Sequence, residues 1–294
     1  MALGYASDIE LLFIYTADGH TSGGKRESIT NAEFYEQLAR ETSQFIKSKH
    51  EGIFHVDLRL RPFGNEGPLA SSRKQFRVYY GPGGKAHHFE KLALVRMRWI
   101  AGHPALGFDV EQMRDAFIYD QPDWDLDALW AIWRKQHEQI VRSAPPGQSG
   151  ACNAKYSCGA LSDLEGAVML LQVMHADRVP QLRSPQLSIA MEGLRRAGVL
   201  SPREYGDLMG AYEFYRRLIN GLRMLRGSAK DLFLPAPESD AIIHLARRIG
   251  YDKMDDKSPG EQLFMEFQQH VAAVRQFVQR HFDRPCAGRV FHAP

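Results

Sequence analysis

From Ser72 to Phe282 the apolar residues of this chain recur at the 3.6-residue spacing of one helix face, and the breaks between runs carry helix punctuation. Pro202 and Pro259 each follow a serine, the order of cap and first-turn proline, and Gly198 and Gly250 fall where helices end. The pattern predicts helices over 72–80, 89–101, 110–118, 125–142, 161–174, 185–197, 202–225, 240–249 and 259–282. Any sheet is thereby confined to the residues before them. There, Ser7 to Tyr15 (SDIELLFIY) is an apolar run and Ile53 to Leu60 alternates apolar with polar residues, so both read as strands. Between them lies a Gly- and Ser-rich loop, 16–28, and Asn31 reads as the N-cap of a helix from Ala32 to about Lys49. The expected class is α+β: a small α/β unit over 1–101, then a helical domain over 102–294, with SAPPGQS at 143–149 as the best linker.

Three carboxylates concentrate in the strand segments. Residues two apart on a strand share a face, so Asp8 and Glu10 aim at one point if Ile9 faces the core. Asp57, in HVDLRLRPFG, would join them from a neighbouring strand. Three carboxylate ligands with open positions suit Mg²⁺, which binds a few carboxylates together with substrate phosphates, and this is the chemistry of phosphoryl or nucleotidyl transfer. The spacing leaves a second reading open, in which Asp8 caps a strand, Glu10 is solvated and Asp57 is the ion partner of Arg59 or Arg61. Likewise Arg59, Arg61, Arg73, Lys74, Arg77 and Lys85 either meet phosphates or form a solvated face.

Composition excludes more than it assigns. No stretch reaches the ~18 apolar residues of a membrane span, and the N-terminus lacks a secretory pattern, so a cytoplasmic protein without membrane contact is expected. Cys152, Cys158 and Cys286 are odd in number and lack C-x-x-C spacing, reading as reduced thiols. A formal net charge of +2 implies no nucleic-acid partner. His87, His88 and His137 are dispersed, and Gly23-Gly24-Lys25 lacks the spacing of a phosphate loop.

The wording around the carboxylates is more specific. Tyr5-Ala6-Ser7-Asp8-Ile9-Glu10-Leu11, and Val56-Asp57-Leu58-Arg59-Leu60-Arg61-Pro62-Phe63-Gly64 followed by Gly67-Pro68-Leu69, resemble the two signature segments of the glutamine-synthetase adenylyltransferase family, within the polymerase-β nucleotidyltransferase superfamily. Phe89 to Arg98 (FEKLALVRMR), Lys155 to Glu165 (KYSCGALSDLE) and Ala211 to Arg217 (AYEFYRR) are similar to further family segments in the same order.

The resemblance implies a one-half member. Asp8, Glu10 and Asp57 would be catalytic and hold Mg²⁺, while Ser7, Arg59, Arg61 and Glu165 would contact nucleotide, Glu165 from the helical region. ATP or ADP would be substrate or product. A tyrosine of glutamine synthetase would be the protein target, with a PII signal protein as a further partner. Members usually carry one half that adds the adenylyl group from ATP and another that removes it by phosphorolysis; Arg61-Pro62-Phe63-Gly64 with Gly67-Pro68-Leu69 resembles the removing half more. The chain departs from the family in Glu10, where Asp is usual, and in Ser157 and Ala160, which replace glycines and leave only Gly159. The family's upstream G-K-x-G-G-x-E segment is also missing before Ser7, so the expectation is either a fragment or an incomplete nucleotide cradle. Two rivals stay open: a small-molecule or antibiotic nucleotidyltransferase, favoured by Ser7-Asp8-Ile9-Glu10, and a non-catalytic relative acting as a protein-interaction module.

Overall fold

A computed structural model describes the chain apart from residues 1–3, 5–6, 25–26, 47–54, 121–123, 143–151, 229–230, 253–255 and 283–294, and apart from the side chains at 136, 137 and 140–142. The expected linker at 143–149 and Cys286 lie outside the described residues. Two compact units result, one spanning Ser7–Trp124 and the other beginning at Asp125. Among the described residues no helix is long and apolar enough to cross a membrane.

In the first unit the expected strand 7–15 divides in two. β1 (Ile9–Glu10) pairs in parallel with β3 (Val56–Asp57), and β2 (Phe13–Tyr15) pairs in parallel with β4 (Ala70–Ser72). Sequence reading missed β4 because Ala-Ser-Ser is short, small and buried throughout, with no alternation to detect. The second expected strand, 53–60, begins outside the described residues and ends at Asp57, where Arg61 N–H donates to the Leu58 carbonyl at 3.1 Å and turns the chain.

The α-helices of this unit are α1 (Asn31–Ile46), α2 (Arg73–Tyr80), α3 (His88–Ala93) and α4 (Pro104–Tyr119). α1 is capped by Thr30 rather than Asn31. Thr30 Oγ1 accepts from Glu33 N–H at 3.2 Å and Thr30 N–H donates to Glu33 Oε2 at 2.9 Å, while Asn31 Nδ2 reaches back to the Ala17 carbonyl. The core gathers Tyr15, stacked on Tyr35 at 5.0 Å, with Ala39 and Ala70. On α2, Phe76 and Tyr80 are fully buried, Phe76 meeting Phe117 of α4 at 5.8 Å.

The helix expected over 89–101 stops at Ala93, passes through a 3-10 turn (Leu94–Arg96) and runs on extended, because buried Arg114 of α4 takes up the Met97 carbonyl. α4 therefore belongs with the α/β unit. The boundary expected after residue 101 moves to Trp124.

The second unit contains α5 (Leu126–Arg142), α6 (Leu161–His175), α7 (Leu187–Arg196), α8 (Pro202–Arg226), α9 (Asp240–Arg248) and α10 (Pro259–Phe282). Its one β feature among the described residues is the bridge Asn153–Phe233. Phe214 and Tyr215 of α8 pack on Phe267 and His270 of α10. Ahead of α6, Tyr215 donates its hydroxyl to the Gly159 carbonyl at 2.7 Å, and Gly159 N–H donates to Asp163 at 2.7 Å. Gly159 has φ +83°, and a Cβ there would stand 2.5 Å from the Val271 carbonyl oxygen, so a close approach needing glycine is satisfied by the one glycine this segment keeps.

One carboxylate ties the two longest helices together. Glu204 forms a capping box with Ser201 at the start of α8, and it accepts from Arg280 at 2.7 Å and contacts His281 Nε2 at 3.1 Å near the end of α10. Burial alone would raise its pKa, but the Ser201 hydroxyl and N–H, Arg280 and His281 bring it down to about 2. A folded pKa below the unfolded value of about 4.3 stabilises fully above that value and is lost as pH falls toward 2. We expect about 2 kcal/mol of stability, discounted for partial exposure, to disappear over that window in urea titrations, and Glu204→Gln to flatten that part of the profile.

Candidate active site

The parallel register sets Ile9 opposite Val56 and Glu10 opposite Asp57. Ile9 N–H bonds the His55 carbonyl at 2.8 Å and Leu11 N–H the Asp57 carbonyl at 3.0 Å, closing the ladder around the two acids. Asp8 and Glu10 are exposed on either side of half-buried Ile9, the alternation expected for a strand with its acids on one face. Asp57 is 9% exposed, and Ser7 is half-buried at the lead-in to β1.

The Asp57 carboxylate is held by Arg59. The Arg59 backbone N–H donates to Oδ1 at 2.9 Å, and its Nε and Nη2 take both oxygens in a forked pair at 3.0, 2.9 and 2.5 Å. Hydrogen bonding from Arg59 thus keeps the Asp57 carboxyl below the usual carboxylate range, against the effect of burial. The Arg59 guanidinium is stabilised in return, first by Asp57 and further by the charges of Glu10 and Asp8. One cationic group therefore stands in the summed field of all three carboxylates. Among the described residues no group of three or more His, Cys, Asp or Glu side chains is close enough to chelate a metal ion. The donors are nevertheless hard carboxylate oxygens, the type Mg²⁺ prefers, and the Arg59 guanidinium, paired with Asp57, supplies a cation beside them. By donor type the residues suit a divalent cation.

Arg61 is used differently. It is 8% exposed, and its guanidinium donates to the carbonyls of Leu58 at 2.8 Å, Gly67 at 3.0 Å and Asn65 at 3.1 Å. It folds the loop after β3 into a fixed shape instead of presenting itself to a ligand. Within that loop Phe63 adopts the left-handed conformation, φ 67° and ψ 15°, the one non-glycine to do so among the described residues. Its half-exposed ring meets Tyr79 at 4.9 Å, and Lys85 Nζ stands 5.7 Å from its centroid.

Glu165 lies on α6 of the helical unit, half-buried, where it acts on Lys155. Burial opposes the charge of Lys155, but Tyr156 and Glu165 together hold its pKa above the ordinary value. Asp163 is buried and anchors Gly159. Sequence reasoning overlooked Phe63, Tyr79 and Asp18 as a cluster. The usable signal was an aromatic between Pro62 and Gly64 in a loop that must turn.

Comparison with known proteins completes the picture. Residues 1–113 match the family model for glutamate-ammonia ligase adenylyltransferase, and residues 131–282 match that for GlnD PII-uridylyltransferase. A bifunctional glutamine synthetase adenylyltransferase/adenylyl-removing enzyme from Aromatoleum aromaticum is 30% identical over 283 residues, covering 96% of this chain and 28% of that protein. A protein of the same description from Thioalkalivibrio sulfidiphilus is 29% identical over 295 residues, covering 99% of this chain and 28% of its own length. The chain thus spans less than a third of the relatives it matches.

Because Arg61 satisfies three carbonyls with a planar fork, Arg61→Lys should not rescue it. We expect Arg61→Lys and Arg61→Ala both to lose about 2–3 kcal/mol in urea unfolding. Arg59→Ala should lose no more than about 1 kcal/mol, since that arginine side chain is 73% exposed. In the Arg59→Ala variant the Asp57 carboxyl should titrate at a higher pH by ¹³C NMR.

Proposed function

Since the chain belongs to the glutamine synthetase adenylyltransferase/adenylyl-removing family, we propose that it is a Mg²⁺-dependent nucleotidyltransferase acting on a tyrosine of glutamine synthetase. The observation that carries this reading is the register pair Glu10–Asp57 with Asp8 beside it, all three acting on one guanidinium. Asp8, Glu10 and Asp57 would hold the metal, which when bound neutralises phosphate charge and polarises the phosphorus under attack.

The remaining chemistry belongs to the chain. Asp57, released from Arg59, is the carboxylate available to accept a proton from an attacking hydroxyl. Arg59, exposed once released, is free to meet phosphate oxygens as charge develops on the leaving group. In the adding direction the tyrosine oxygen attacks the α-phosphorus of ATP, the bond to the β-phosphate breaks and pyrophosphate leaves. In the removing direction a phosphate oxygen attacks the same phosphorus, the bond to the tyrosine oxygen breaks, that oxygen takes up a proton and ADP leaves.

We favour removal, on the wording of the loop Arg61-Pro62-Phe63-Gly64 and Gly67-Pro68-Leu69. The match of residues 131–282 to a PII-uridylyltransferase model supports a PII signal protein as effector on the helical unit. ATP and such partners would place the protein in the cytoplasm.

The test is direct. The chain is incubated with Mg²⁺, α-labelled ATP and unmodified glutamine synthetase, and in parallel with adenylylated enzyme and inorganic phosphate. We expect ADP in the second arm, and Asp57→Asn to reduce turnover about 10²-fold or more. Transfer to neither form of the enzyme, at any Mg²⁺ concentration, would leave the interaction-module rival standing.

A further inference from the structure

A cleft of about 450 Å³ opens between the loop after β3 and α2, within the size range of small-ligand sites. Phe63 and Tyr79 give it an aromatic wall, Lys74 and Lys85 bring two ammonium groups, and Asp18 supplies a carboxylate oxygen. Neither lysine has a carboxylate partner among the described residues; Lys85 is drawn instead to the Phe63 ring. Gly84 also lines it, packed so closely that a Cβ there would lie 2.2 Å from the Tyr79 carbonyl oxygen. Left-handed backbone is costly for a residue with a Cβ, and such strain persists only where surrounding structure over-determines it. Here the Arg61 clamp imposes it, and the result is a large ring, 44% exposed, held at the mouth of a cationic cleft.

We propose that this cleft is a nucleotide site: the base lies on Phe63 beside Tyr79, the phosphate is met by Lys74 and Lys85, and Asp18 accepts from a ribose hydroxyl or an exocyclic amine. Aromatic faces are sequence-tolerant platforms for bases, and unpaired ammonium groups suit phosphate. The identity of the base as adenine rests on the nucleotidyl-transfer reading; the cleft and its chemistry do not.

Calorimetry of the full chain with AMP, in EDTA so that the carboxylate cluster holds no metal, tests the proposal. The expected result is AMP binding that exceeds that of adenosine alone or inorganic phosphate alone. Phe63→Gly and Lys85→Ala should each weaken AMP at least roughly tenfold. Phe63→Gly should do so without lowering Tm, because glycine relieves the left-handed strain while removing the platform. Asp57→Asn should leave the AMP affinity unchanged. The proposal is overturned if AMP fails to bind at millimolar concentration, if phosphate alone binds as tightly, or if both cleft variants keep the parental affinity. Loss of AMP in Asp57→Asn with both cleft variants unaffected would place the nucleotide at the carboxylates, sinking this inference and sparing the nucleotidyl-transfer reading. That reading has its own arbiter in the transfer assay.

Discussion

Three backbone carbonyls, those of Leu58, Asn65 and Gly67, converge on the buried Arg61 guanidinium, and the geometry of the α/β unit depends on that convergence. A buried guanidinium without partners would be prohibitive, so loop and side chain can exist only together. The clamp stops β3 just past Asp57, directs Arg59 back onto that carboxylate and forces Phe63 into its left-handed turn. Leu60 adds a second tie through its carbonyl, which accepts from the buried Tyr80 hydroxyl. What looked from composition like one member of a basic patch is the keystone of the loop, while its neighbour two residues earlier carries the exposed charge.

The division of the chain into an α/β front and a helical back was legible because helical periodicity survives over long spans, and its stop signals have local causes. Ser201, Pro202 and Glu204 build a cap from four consecutive residues, and nothing distant is needed to form it. The front was only partly legible. The apolar run from Ile9 to Tyr15 gives no hint that it serves two separate partners, since pairing is decided by segments far along the chain. Ala70–Ser72 carries no strand signature of its own and becomes a strand through burial against β2. The unit boundary failed for a related reason: α4 looks like every other helix, and its allegiance is settled by Arg114 reaching Met97 and by Phe117 packing on Phe76.

At the candidate site, the exposure of Asp8 and Glu10 on either side of half-buried Ile9 is what the two-residue period alone leads one to expect. The alignment of Asp57 beside Glu10 followed from a guess at pairing that the register matches. Of the two readings of Asp57 that the spacing left open, the ion pair with Arg59 is present, and the register sets Asp57 opposite Glu10. Spacing could not choose between Arg59 and Arg61 because side-chain direction near a turn is set by backbone torsions that sequence does not display. Glu165 could not be assigned for the opposite reason. Its immediate neighbour Lys155 gives it a local role whatever else it meets.

The register pair Glu10–Asp57 also has a kinetic consequence. The two strands lie about fifty residues apart in the chain, so bringing them together costs on the order of 3 kcal/mol in loop-closure entropy before two-residue strands return anything. Parallel pairs this short do not nucleate on their own. The β1–β3 pair must therefore assemble after α1 and the Tyr15, Tyr35 and Ala39 contacts have drawn the ends together. Substitutions in β1 or β3 should consequently speed unfolding more than they slow folding, while truncating Tyr35 should do the reverse.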